Sequence, residues 1–107
     1  MLPKPPKKYE AFIACFPKLG EAWSAIHEAG EEGPLDARTQ RLIKLAAAIG
    51  ALREGAVHAS ARKAVALGIP EEELMQVVAL AAGTLGMPST VAAFTWVRDV
   101  TRPSSSL

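Results

Sequence analysis

Glycine and proline recur in this chain at intervals of about one helix length, and this punctuation limits the fold more than any other feature of the sequence. The stretches between them carry apolar residues at helical, not alternating, spacing. Pro17 separates a short first helix from a second, in which Ala22, Trp23, Ile26 and Ala29 recur along one side until Gly30 and Gly33 end the pattern. Asp36 stands where an N-cap is needed, ahead of Leu42, Ile43, Leu45, Ala46 and Ile49, and Gly50 marks the expected break. The stretch from Arg53 to Gly68 is the next helix. Pro70 with Glu71, Glu72 and Glu73 opens another, since proline suits a first turn and carboxylates favour the positive end of a helix dipole. Leu74, Val77, Val78, Ala81 and Leu85 form its stripe, and a last helix follows Gly86.

Abundant alanine and only 6% aromatic residues favour closely packed helices over a sandwich of β-branched strands, so the expected class is all-α with about five to six helices. The 107 residues make one domain over 9–102, flanked by a flexible, basic, proline-rich arm over 1–8 and a frayed tail over 103–107. Pro3 and Pro6 formally spell a PxxP, but such arms are usually plain tails. A net charge of +1 provides no basic field for nucleic acid, and no apolar run approaches a membrane span or a signal peptide. A single cysteine, Cys15, excludes an intramolecular disulfide and makes the cytoplasm the expected compartment. Among Phe12, Ile13, Ala14 and Phe16 it reads as a small hydrophobe, while Lys18 and Lys44 read as solvated faces.

One pair of residues breaks the pattern. At about 100° per residue, Glu54 and His58 fall on the same side of their helix as Val57, Ala61, Ala64 and Val65. A carboxylate and an imidazole on a face meant for burial are costly unless they pair, and the i, i+4 spacing lets them share a proton or a hydrogen bond. Such a pair orients a general acid or base; equally, it neutralises itself inside a core or at a subunit interface. As metal ligands the two are one or two short of a zinc site, and His27 belongs to a distant helix that reads as solvated, so no metal is expected.

The order of these segments, with "ARKAVALGIPEEELMQVV" and the Gly86-Met87-Pro88 that precedes the last helix, resembles the carboxymuconolactone decarboxylase and AhpD-like superfamily over about residues 16–100. The resemblance implies an all-α fold of helical hairpins assembled into a trimer or hexamer, with small pockets where subunits meet. It also implies one of two chemistries: cofactor-independent proton transfer coupled to decarboxylation of a lactone acid, or thiol redox in peroxidase systems. The redox members carry a C-x-x-C-x-x-x-H motif eight residues before the glycine, with a Glu upstream. Counted back from Gly68, the His position holds Ser60, the cysteine positions hold Ala56 and Arg53, and the Glu position holds Arg41. Without a thiol pair, disulfide exchange is not expected there.

What remains, Glu54-Gly55-Ala56-Val57-His58-Ala59-Ser60, is similar to an E-G-A-V-H-x-H variant with Ser60 in the second His position. By helical phase Ser60 lies about 160° around from His58, alongside Arg53 and Ala56, and the sequence leaves open which face lines a pocket. The leading expectation is a proton-transfer protein of lyase or isomerase type. His58, oriented by Glu54, handles the proton, while Ser60, Arg53 and Arg41 bind a small acid or lactone at a subunit interface without a cofactor. Trp23 and Trp96 are candidate pocket walls, though aromatic residues at helical spacing are more often core. The other expectation is a non-catalytic oligomer whose Glu54–His58 pair is structural.

Overall fold

In the computed structural model, residues 7–103 are described; most of the expected N-terminal arm and all but the first residue of the expected tail lie outside them. The described residues form six α-helices: α1 (Lys7–Cys15), α2 (Pro17–Glu31), α3 (Ala37–Gly50), α4 (Glu54–Ala66), α5 (Glu71–Leu85) and α6 (Met87–Thr101). No strand occurs among them.

Local chemistry sets most of the boundaries. The Asp36 carboxylate accepts from the Thr39 backbone N–H at 2.7 Å, capping α3, and this hydrogen bond is the main cause that holds its carboxyl below the usual carboxylate range. The α4 helix ends on Gly68 at φ 89°, where Ile69 N–H reaches back to Ala64 O (3.0 Å) and Gly68 N–H to Val65 O (3.0 Å). This paired closure needs a left-handed residue, which glycine supplies without a Cβ clash. It also turns Ile69 into the core. The third helix ends at Gly50 as expected, and the left-handed residue of the turn that follows is Leu52, at φ 55°. The second helix runs past Gly30 to Glu31.

Helices α3 to α6 form a four-helix ring in which α3 and α6 each pack against both α4 and α5. Its centre is Leu45 and Ile49 from α3, Val57 and Ala64 from α4, Leu74 and Val78 from α5, and Ala93 and Val97 from α6. Alanine at the crossings lets the backbones approach closely, which is how a chain with few large side chains still closes a core. The first two helices pack chiefly on each other, Ile13 lying against the bare backbone of Gly20, where an added Cβ would meet Ile13 Cβ at 3.3 Å. The α2 stripe is therefore not core in the single chain: Trp23 and Ile26 are exposed, as are Phe12, Phe16 and Leu19 beside them. Ile43 and Val65, expected on buried faces, are also exposed.

Candidate functional site

The buried side of α4 is Val57, Ser60, Ala61 and Ala64. Glu54 and His58 stand at the margin of that side, where α4 meets α6, Glu54 exposed and His58 half-buried. The expected pair is a trio: Asp99 of α6 brings its Oδ2 to 2.9 Å from His58 Nε2. An oxygen of Glu54, a ring nitrogen of His58 and an oxygen of Asp99 all lie within 4.8 Å of one another. Among the described residues the hydrogen-bond partner of His58 is Asp99, while Glu54 contributes a second carboxylate beside the ring.

Chemically, an imidazole that donates one ring N–H to a carboxylate has its tautomer and ring plane fixed and its other nitrogen left to take or give a proton. The same trio offers one nitrogen and two carboxylate oxygens to a divalent cation, one ligand more than the sequence pair alone. Ligands that share a tetrahedral zinc stand roughly 3.3 Å apart, so these side chains would have to close in to hold one.

The other expected residues divide between places. Ser60 is buried and faces α3, where Arg41 Nη1 donates to its Oγ over a long 3.5 Å. Arg53 precedes α4 as an exposed N-cap residue, without a side-chain capping bond, and joins neither group. Thus His58 and Ser60 do occupy different flanks of one helix, His58 toward α6 and Ser60 toward Arg41. Trp96 is half-buried against the core, whereas Trp23 helps line an apolar cleft between α1 and α2. Cys15 is exposed at the end of α1.

The Arg41 flank opens into a cavity of about 400 Å³ between the end of α2, α3 and α4. Lys44 and Lys63 line it with Arg41; all three are half-buried, so Lys44 is not the solvated residue the sequence suggested. Burial lowers the Arg41 pKa, and burial together with the charges of Arg41, Lys44 and Arg62 lowers that of Lys63. His27, read from the sequence as solvated and remote, is half-buried, and its pKa is pushed down by burial and by Lys44, Lys63 and Arg41, against an opposing pull from Glu31. Asp99, Lys63 and His27 were not identified from sequence as site residues. Each becomes visible only once helix pairing is known.

The model of the carboxymuconolactone decarboxylase family matches residues 17–99 of the chain. The chain belongs to the carboxymuconolactone decarboxylase family. No curated protein and no solved structure matches it.

Proposed function

We propose that this family member is a homo-oligomer, trimeric or hexameric, that takes a small acid or lactone and transfers a proton through His58, without a cofactor. The observation that carries this reading is the 2.9 Å contact between His58 Nε2 and Asp99 Oδ2, with the Glu54 carboxylate beside it. The packing of α4 on α6, with Val57, Ala93 and Val97 in the shared core, supplies the rigid base from which an imidazole can act with a fixed geometry. Ser60 and Arg41 lie on the opposite flank of α4 from His58 and Arg53 joins neither group, so in this reading the three serve as substrate-binding residues by meeting the His58 of a neighbouring subunit. Thiol peroxidase activity is not part of it. Arg53 and Ala56 stand where redox members carry cysteines, and Cys15, the chain's one thiol, has no second to pair with. Residence in the cytoplasm goes with this reading, supported by that lone thiol.

Deuterium exchange at the carbon next to the carbonyl of a carboxylated γ-lactone, followed by NMR in D₂O together with loss of CO₂, tests the chemistry. Wild type is expected to exchange or decarboxylate the lactone. His58→Ala should lower the rate by about 10²–10⁴-fold, the usual contribution of a positioned acid or base. Asp99→Asn should cost less, since it keeps the ring but loosens its orientation. A lactone untouched by wild-type protein would remove the catalytic reading.

A second reading has its own support: the Asp99 side chain is 51% exposed and the trio lies outside the cavities described here, as suits a clasp between α4 and α6. In that case His58→Ala lowers the melting temperature and changes no reaction.

A further inference from the structure

We infer that the cavity between the end of α2, α3 and α4 is a binding site for a small organic dianion, a phosphomonoester or a short dicarboxylate. It shares Arg41, which Ser60 steadies, with the substrate-binding set proposed above, but it rests on the charge of the cavity and stands whether or not His58 transfers protons.

The lining places three cations, Arg41, Lys44 and Lys63, against one carboxylate, Glu31, which leaves two positive charges in excess. Elsewhere the half-buried or neighbouring cations find acids: Arg38 pairs with Glu73, and Arg98 and Arg102 both pair with Glu71. Among the described residues Arg41, Lys44 and Lys63 form no ion pair, although all three are partly withdrawn from water. Like charges gathered in a partly desolvated space raise the free energy of the folded chain, and an anion between them reverses the sign of that interaction. Burial lowers the pKa values of Lys63, Arg41 and His27, and the neighbouring cations lower those of Lys63 and His27 further.

Geometry limits the ligand. The start of α3 is already occupied by the Asp36 carboxylate, so a bound anion must draw on side chains and not on free backbone N–H groups. Arg41 spends one N–H on buried Ser60, which steadies the guanidinium and leaves its remaining donors for a planar or tetrahedral oxyanion. Gln40 adds an amide, and Leu67 gives an apolar wall. A cavity of about 400 Å³ lies within the range of small-molecule pockets and is larger than a bare inorganic ion needs, which calls for an organic body between or behind the charges.

Calorimetric titration of the whole protein in a low-salt zwitterionic buffer tests this, with succinate, inorganic phosphate and acetate as probes. Succinate or phosphate is expected to bind saturably, once per chain, at least tenfold tighter than acetate, and the tighter of the two names the ligand's charged group. Lys63→Gln and Arg41→Gln should each weaken that binding about tenfold or more, and Glu31→Gln, on the exposed end of α2, should tighten it. His58→Ala should leave it unchanged, so a failure of the proton-transfer reading and a failure of this one are told apart. The imidazole of His27, followed by NMR, should titrate at higher pH when the dianion is bound. Equal affinity for acetate and succinate, or the same loss from Lys18→Gln as from Lys63→Gln, would overturn the inference by showing diffuse surface charge instead of a site.

Discussion

Leu52 carries the strain in the chain's local geometry. Among the described residues it is the one position other than glycine with a positive φ, 55°, because the turn from α3 into α4 closes through Leu52 N–H to Ile49 O and Arg53 N–H to Ala48 O. A side chain at this left-handed position costs roughly 1–2 kcal/mol, and the 44% exposed leucine recovers little of that by packing. Leu52→Gly is therefore expected to stabilise the fold by up to about 1 kcal/mol once the added chain entropy of glycine is subtracted, measured as a rise in the denaturation midpoint. The break that the sequence places at Gly50 is where α3 ends, but the left-handed position of the turn falls two residues on, at Leu52 and not at the glycine. Residue-scale features legible in the sequence are those satisfied within one turn, such as the Asp36 cap. Asp99 was not legible. Its partner His58 lies 41 positions away, and only the docking of α6 on α4 brings them together.

At the scale of elements, Glu71 ties the start of α5 to the end of α6. Its carboxylate accepts from Arg102 Nη2 at 2.8 Å, Arg102 Nε at 3.0 Å and Thr101 Oγ1 at 2.6 Å, and Arg98 Nε stands 3.6 Å away. The Arg102 and Thr101 hydrogen bonds, with the charges of both arginines, pull its pKa from 4.5 to about 2. A carboxyl depressed in the folded state binds its proton more readily in the unfolded chain. Its stabilisation is thus full above pH 4.5 and lost as the pH falls toward 2. Glu71→Gln should lower the melting temperature at neutral pH and flatten its decline between pH 4.5 and 2, in thermal scans across that window. The sequence placed Glu71 correctly as an acid at a helix start, a local dipole effect, but its ion pairs depend on α6 returning alongside α5. Helix number and order were legible for the same reason: period and punctuation act within each segment. The exposure of the α2 stripe was not, because an apolar face found by periodicity does not say whether its cover comes from the same chain.

The whole molecule is more open than a chain of its size needs to be. Its radius of gyration is 14.7 Å, against about 13 Å for a compact domain of 107 residues. Its accessible surface is 7495 Å², where a compact 11.3 kDa monomer exposes about 5,700 Å². Two apolar regions account for the character of that surface. One is the α1–α2 hairpin with Phe12, Phe16, Leu19, Trp23 and Ile26; the other is an open groove of about 550 Å³ between α3 and α5, edged by Ile43 and Leu80. Exposed apolar surfaces of this kind mark places where chains meet, and a closed symmetric assembly would cover both. Light scattering at micromolar concentration should therefore give three or six times the chain mass. Trp23→Asp puts a charge on an exposed face of the hairpin, away from the α3–α6 core, so it should lower the mass toward that of one chain while far-UV circular dichroism stays helical. A wild-type protein that scatters as a monomer would instead mean that these surfaces are tolerated in water, and the trimeric or hexameric assembly would have to be abandoned.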